Sequence, residues 1–296
     1  MDLKMSEVVD EEPSKKSTDA DRESVKVCVV GLGKVGHPTA SHIDECGFSV
    51  CGYDIDKEKT IGTNPFYAFS DWSEAPECDI YVVCVSTGWK NGKPDMSSIF
   101  DVCNKISLIR DNKPLVCIES TVSVGTCRMI AEMFEDVYLA HVPHRFWSEE
   151  PKRHGVQQLR IIGALNHQSL VKARDFYDAL GIPLHLVSSL EAAEMTKIAE
   201  NAYRFMQIAF VEQLNLLCVQ NGIPFDEVRS GANTKWNVSL LEARKGIEGD
   251  CLPKDIKYLA SLGEAPLLKS AVEVDKCYKD HKQKDKGLLD LKSYAT

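Results

Sequence analysis

Residues 25–56 read VKVCVVGLGKVGHPTASHIDECGFSVCGYDID, and no other stretch restricts the fold as tightly. An apolar run ends at Gly31, Gly33 and Gly36, a helix is expected over about 36–46, and a second apolar run ends at Asp54. In this dinucleotide fingerprint the first glycine makes a tight turn and the second lets backbone approach a pyrophosphate. The third lets the helix pack on the strand. Leu32, Lys34 and Val35 complete the loop, and the helix start offers amide donors to phosphate. Asp54 follows Gly31 by 23 residues. An acid there accepts from the ribose hydroxyls and repels a 2′-phosphate, so NAD is expected rather than NADP. A structural glycine turn with a solvent-facing aspartate is the bland alternative.

Further apolar, β-rich runs follow at 79–87, 113–121, 136–143 and 159–164, alternating with helical stretches at about 97–108, 125–134 and 167–180. Nearly continuous apolar strands alternating with helices mark a parallel sheet covered on both faces. The character changes after residue 189. Residues 190–219 lack Gly and Pro and carry apolar residues at three- and four-residue spacing, which is an amphipathic helix. More helices follow, the last over about 264–283. The expected fold is α/β, a doubly wound parallel sheet over 25–188 followed by a smaller all-helical domain over 189–296. Residues 1–24 hold 8 acids and 4 bases and no aromatic residue, and are expected to be disordered.

A net charge of −9 argues against a nucleic-acid partner. No uncharged apolar run is long enough to span a bilayer, and the N-terminus lacks a signal peptide's pattern. The 11 cysteines are irregularly spaced, with no Cys-x-x-Cys pair, so no structural metal is expected. Several (Cys28, Cys84, Cys117) sit inside apolar runs as small hydrophobes. The chain reads as a reduced, cytoplasmic protein.

One cysteine stands apart. In GIEGDCLPKD (246–255), Cys251 lies between a glycine-containing loop and a proline suited to the first turn of a helix. There the helix dipole and amides favour a thiolate nucleophile. Asp255 falls in the same first turn, where helix capping is its ordinary role. On the long helix, Lys197 and Asn201 are four residues apart and share a face. A lysine on an apolar helix is often only snorkelling.

Read in order, GLGKVG, GYDID, VCVSTG with GKPD, ESTVSVGT, RIIGA, the 191–218 helix and GIEGDCLPKD resemble the UDP-glucose/GDP-mannose dehydrogenases over about 25–283. The resemblance implies a Rossmann-type nucleotide domain and oxidation of a nucleotide-sugar alcohol to the acid with two NAD. Carried over residue by residue, Cys251 is similar to the nucleophile that passes through a thiohemiacetal to a thioester. Lys197 is similar to the lysine that stabilises oxyanions, and Asn201 to its hydrogen-bonding neighbour. Asp255 resembles the aspartate that orients lysine and water. Thr121 resembles a threonine near the nicotinamide, and Ser86 and Thr87 fall in a matching cofactor segment. Lys59 falls where a base stands near the adenosine phosphates. Gly246 and Gly249 belong to the loop that wraps the sugar. A homodimer is expected through the 190–220 helix, whose apolar face is too wide for one small domain to bury, and the resemblance puts Lys235 about where an arginine from the neighbouring subunit reaches the substrate.

Three departures stand out. His144 takes the place of a glutamate that helps hydrolyse the thioester, either as a base near neutral pH or as a substitution that weakens turnover. Glu248 and Asp250 put carboxylates beside Cys251, where they raise a thiol's pKa and repel an anionic ligand. The resemblance also implies a further nucleotide-binding domain after this region, and a sequence that stops at Thr296 is expected to be either a piece of a longer chain or a natural short form. Two other readings stay open. A β-hydroxyacid-type dehydrogenase has a similar lysine and asparagine but no need of the cysteine loop. A non-catalytic NAD-binding or scaffold descendant fits His144 and the acidic loop.

Overall fold

The computed structural model describes residues 22–62, 65–108, 113–147, 150 and 154–293, with side chains described as far as Lys284. The acidic stretch at 1–24 lies outside the described residues up to position 21. The sheet strands are β1 (Lys26–Val30), β2 (Ser49–Tyr53), β3 (Tyr67–Phe69), β4 (Ile80–Val83), β7 (Leu115–Ile118), β8 (Tyr138–His141), β9 (Arg160–Ala164) and β10 (Leu184–Leu186). Between β4 and β7 a separate hairpin forms from β5 (Gly88–Lys90) and β6 (Lys93–Asp95). Helices α1 (Gly36–Glu45), α2 (Ser97–Leu108), α3 (Thr126–Ala131) and α4 (His167–Ala179) cover the sheet. The helical part comprises α5 (Leu190–Gln220), α6 (Phe225–Ala232), α7 (Cys251–Ala260) and α8 (Pro266–Ser293).

The eight strands run in the order β10-β9-β8-β7-β4-β1-β2-β3. Order reverses between β1 and β4, where a doubly wound sheet opens its ligand crevice. The expectation of a wholly parallel sheet is corrected at one seam: β9 runs antiparallel to β8. The reason is the connection. None of the described residues between β8 and β9 is helical, and a parallel return normally needs a helical crossover.

Alternate residues of β1 feed the two faces. Cys28 and Val30 pack with Tyr81, Ile99 and Ile106, while Val27 and Val29 pack with Ala40, Ile43 and Phe176. The long α5 belongs to both parts of the molecule. Leu190 and Ile198 lie in the sheet's core, whereas Ala202, Phe205 and Ala209 join Ile247, Ile256 and Ala271 in a separate helical core. Gly163 shows how closely the helix start abuts β9, since a Cβ there would lie 2.1 Å from the Ser189 carbonyl oxygen. The α5 helix therefore holds the residues of its middle at a fixed height above the sheet.

Candidate active site

The nucleotide end is built from close approaches. Gly31 has φ +96°, and a Cβ there would lie 2.9 Å from the Cys84 backbone on the neighbouring strand segment. A Cβ on Gly36 would lie 1.8 Å from the Gly31 carbonyl oxygen. Gly33 differs, with nothing within 4 Å of its would-be Cβ. Two glycines thus pack the turn and the third leaves an open face. No side chain caps the start of α1, so its amides remain oriented toward that face. These features fit a pyrophosphate.

Asp54 is buried at the end of β2 and locks the loop. Its Oδ2 accepts from the Leu32 amide at 2.8 Å and its Oδ1 from the Asp56 amide at 2.9 Å. Lys59 Nζ sits 3.4 Å from both oxygens. Lys59, expected near the adenosine phosphates, is placed here as the partner of Asp54. A carboxylate has about four lone-pair directions, so acceptor capacity remains for ribose hydroxyls.

The chemical end draws on residues distant in sequence. Cys251 is the first residue of α7 and is exposed. Pro253 lies in that first turn, but because the helix already starts at Cys251, Asp255 falls beyond the first turn instead of within it as expected, and points inward, fully buried. From α5, Asn201 Nδ2 donates to Asp255 Oδ2 at 2.5 Å. Lys254 Nζ lies 2.8 Å from the other carboxylate oxygen, an ion pair without hydrogen-bond geometry. It also donates to Thr87 Oγ1 at 3.0 Å, and that hydroxyl donates to the Thr121 carbonyl at 2.7 Å. A continuous polar chain therefore joins Asn201, Asp255, Lys254, Thr87 and Thr121 across the two parts of the molecule. Ser86 beside it is exposed.

Lys197 is buried one helical turn before Asn201. Burial lowers its pKa, against the opposing pull of Glu200, Asp255 and Cys251. That set of influences places lysine, aspartate and cysteine in one electrostatic neighbourhood. Glu200 is bound by Arg145, whose Nη1 also donates to the Leu159 carbonyl at 2.7 Å.

His144 is drawn the other way. Its Nε2 lies 2.7 Å from Glu119 Oε2 and 2.8 Å from Thr39 Oγ1. The Thr39 hydroxyl donates to the Val35 carbonyl at 3.0 Å, and a carboxylate only accepts, so the ring proton sits on Nε2. Nδ1 is then a buried lone pair with no partner among the described residues. Burial lowers the His144 pKa, keeping the ring neutral. Glu119 also accepts from Arg160 Nη1 and from the Tyr177 hydroxyl, each at 2.6 Å. Burial pushes this carboxyl up, but Arg160 and then His144 overcome it and hold it at about 2.

In the loop before Cys251, Gly246 and Gly249 have φ +106° and +86°. Glu248 and Asp250 are exposed, which weakens their expected effect on the thiol. Lys235 is exposed on the segment after α6. Among the described residues no group of three or more metal-type ligands is assembled, and no helix is long and apolar enough to cross a membrane.

The sequence pattern missed Lys254, Arg145, Glu200 and the Glu119 cluster. Lys254 carried a readable signal, because a cation in the first turn of a helix is electrostatically disfavoured and calls for a partner. The β5–β6 hairpin was legible too, since Asn91-Gly92 supplies the two positive φ values (52° and 75°) of a tight hairpin turn. Tyr258 of α7 donates its hydroxyl to the Gly88 carbonyl of that hairpin at 2.6 Å.

Comparison with known proteins identifies the family. Residues 61–181 match the NAD binding domain of the UDP-glucose/GDP-mannose dehydrogenase family, and residues 191–276 match its central domain. A UDP-N-acetyl-D-mannosamine dehydrogenase of Methanococcus vannielii is 28% identical over 276 residues, covering 84% of this chain and 65% of the relative. The chain thus spans about two thirds of that relative's length. The structure of UDP-D-ManNAc dehydrogenase from Pyrococcus horikoshii superimposes with a TM-score of 0.78 at 27% identity, over 86% of this chain and 69% of that one. A 3-hydroxyisobutyrate dehydrogenase of Mycobacterium tuberculosis shares the fold alone, with a TM-score of 0.69 at 15% identity over 86% of this chain and 93% of that one. With a fingerprint that fits the dinucleotide and both domain matches in order, the chain belongs to the UDP-glucose/GDP-mannose dehydrogenase family, and its cofactor is NAD.

Proposed function

We propose that this protein oxidises the primary alcohol of a nucleotide sugar to the uronic acid through a thioester on Cys251. The observation that carries the reading is the placement of Cys251 at the head of α7, with Asp255 of the same helix bonded to Asn201 beside buried Lys197. Bound at Gly31–Gly36 and Asp54, NAD supplies the hydride acceptor for both oxidations. The ammonium of Lys197 stabilises the oxyanion formed at the sugar's C6 oxygen, and its burial strengthens that field. Cys251 Sγ adds to the aldehyde carbon, giving a thiohemiacetal that is oxidised to the thioester. Asp255, with Thr121 across the cleft, orients the hydrolytic water. His144 offers Nδ1 as the base in place of a glutamate, while Glu119 fixes its tautomer. Gly249, open around its Cβ position, and Gly246 give the loop its path around the sugar.

UDP-N-acetyl-D-mannosamine, named by the relatives, is the first substrate to try. The working unit is a homodimer through α5. Tyr203, Phe210 and Leu217 recur every seven residues along one stripe of that helix and are 61%, 58% and 46% exposed. Lys235 then serves the neighbouring subunit's substrate. Retention of Cys251, Lys197, Asn201 and Asp255 together favours the enzyme over a scaffold that only binds NAD. A β-hydroxyacid dehydrogenase would leave Cys251 without a task.

The test is NADH formed per sugar across UDP- and GDP-sugars. Two NADH per sugar is expected, with a rapid burst before a slow steady rate and a sugar-acyl adduct on Cys251 by mass spectrometry. Cys251→Ser should abolish the burst, and His144→Ala should slow only the steady phase, by roughly 10²–10⁴-fold if Nδ1 is the base. Acid formation by Cys251→Ala at the wild-type rate would sink the reading.

A further inference from the structure

The segment leading into Cys251 is nearly all surface. Between residues 233 and 250 only Ile247 is buried, so the position of the cysteine loop depends on what holds that one residue. Two side chains of α8, one helical turn apart, do so. Asp275 Oδ1 accepts from the Ile247 amide at 2.7 Å, and Lys279 Nζ donates to the Ile247 carbonyl at 2.7 Å. Lys279 Nζ also donates to Asp275 Oδ2 at 2.7 Å, which closes the pair on itself.

Taken from the sequence, an aspartate and a lysine four apart make an ordinary surface ion pair worth a few tenths of a kcal/mol. Here the pair takes both main-chain hydrogen-bonding groups of a single loop residue, as a neighbouring strand would. Two further contacts fix the same point. The Tyr278 hydroxyl donates to the Arg244 carbonyl at 2.9 Å. At Gly246, a Cβ would fall 2.5 Å from the Lys279 side-chain carbons, so the lysine stem lies directly against bare backbone.

We propose that Asp275 and Lys279 are positioning residues that set the location of the Cys251 loop. The inference rests on Cys251 being the nucleophile. Cys251 follows Ile247 by four positions, with three residues between them, a tether of at most about 14 Å when fully extended, and the glycine at 249 makes that tether pliable. Without the clamp Ile247 is held by its side-chain packing alone, its main chain is free to shift, and the thiol samples a wider range of positions. A displacement of about 1 Å at a reacting atom can cost about 10²-fold in rate. Their hydrogen bonds run to the Ile247 main chain and to each other, so the loss is expected on the chemical step rather than on binding.

Lys279→Met tests this, because it keeps the stem against Gly246 and removes only the ammonium. The expected result is a fall of about ten- to a hundredfold in the NADH burst rate, with KM for UDP-N-acetyl-D-mannosamine within about threefold of wild type. Lys279→Arg, which restores a donor, should recover most of the rate. A second arm needs no sugar: iodoacetamide labelling of Cys251, mapped by peptide mass to separate it from exposed Cys277. Its rate should change at least about fivefold in Lys279→Met and return in Lys279→Arg. Unchanged labelling and burst in a folded Lys279→Met protein would overturn the proposal. Should the wild type oxidise no sugar at all, the functional reading fails, and the labelling arm still decides the clamp. If Lys279→Met does not fold, Asp275→Asn, which keeps an acceptor for the Ile247 amide, carries the same two measurements.

Discussion

At the nucleotide end, the residues that shape the cofactor loop lie between Gly31 and Asp54, with the Cys84 backbone as the one distant surface: a turn, an open glycine, an amide held by a carboxylate. At the cysteine end, Asn201 and Asp255 meet across 54 residues, and Lys254 reaches Thr87 across 167. The first region is fixed by local backbone geometry and the second by how α5, α7 and α8 pack. A motif can therefore announce the first, whereas the second has to be assembled. Polar satisfaction differs in the same way. The Glu119 cluster inside the sheet domain fills its carboxylate with Arg160, Tyr177 and His144, but Glu212, buried on α5, finds no hydrogen-bond partner for either oxygen among the described residues.

The largest way to break that contrast is Arg160→Met. It strips the main counter-charge from Glu119 while keeping much of the side-chain volume. Removing one partner of a buried pair typically costs about 3–5 kcal/mol, and urea unfolding at pH 7 should show a loss of that order. The pH dependence carries the sign. In the native protein Glu119 is held at about 2, below its ordinary value. Its contribution is thus present above the unfolded pKa and is lost only as pH falls toward 2. In Arg160→Met the burial effect is left largely unopposed and raises the carboxyl instead, so the variant's deficit should shrink between pH 7 and pH 4. A deficit that stayed constant with pH would mean lost packing rather than a stranded charge.

Glu212 offers the opposite case. Burial first, then Asp275, raises its carboxyl to about 7, with Lys279 pulling down. A raised acid stabilises the fold fully below its unfolded pKa, and that stability is lost as pH rises through the folded value. Glu212→Gln should therefore stabilise the protein at pH 8 by about 2 kcal/mol, the gain fading to nothing below roughly pH 4.5. Thermal unfolding at three pH values measures it. A Gln variant less stable than wild type at pH 8 would show that the carboxylate has a partner worth keeping.

How much was legible follows the same divide. The glycines, Asp54, the α5 stripe and the cysteine-bearing helix could be read because each depends on residues within a few turns of one another. The antiparallel β9 could not, since it follows from a connection that lacks a helix rather than from the strand's own apolar run. Glu119 and Arg160, 41 residues apart, looked like a strand terminus and a strand start. Only the fold brings those charges within the sheet. His144 was found as a departure, but its tie to Glu119 and Thr39 depends on three separate elements. The Asp275–Lys279 clamp looked like one more pair in a charge-rich helix.

The smallest expected effect tests the local end itself. In Asp54→Ala, the Leu32 amide loses its acceptor and Lys59 loses one of its two carboxylate partners, keeping Asp56, while Gly31, Gly33 and Gly36 keep their geometry. NAD affinity should fall about tenfold, roughly 1.4 kcal/mol. NADP affinity should fall less or rise, because the repulsion of a 2′-phosphate is gone and the Lys59 ammonium, left with Asp56 alone, stands beside that position. Asp54→Asn separates the two roles of the carboxylate. An amide oxygen can still accept from Leu32 and hold the loop, yet it carries no charge. NAD binding should therefore stay within about threefold of wild type, while the preference over NADP narrows nearly as much as in Asp54→Ala. Titration calorimetry with both dinucleotides reads the two ratios. If both variants kept the wild-type preference for NAD, discrimination would have to come from outside the Gly31–Asp54 unit. The nucleotide end would then be no more local than the cysteine end.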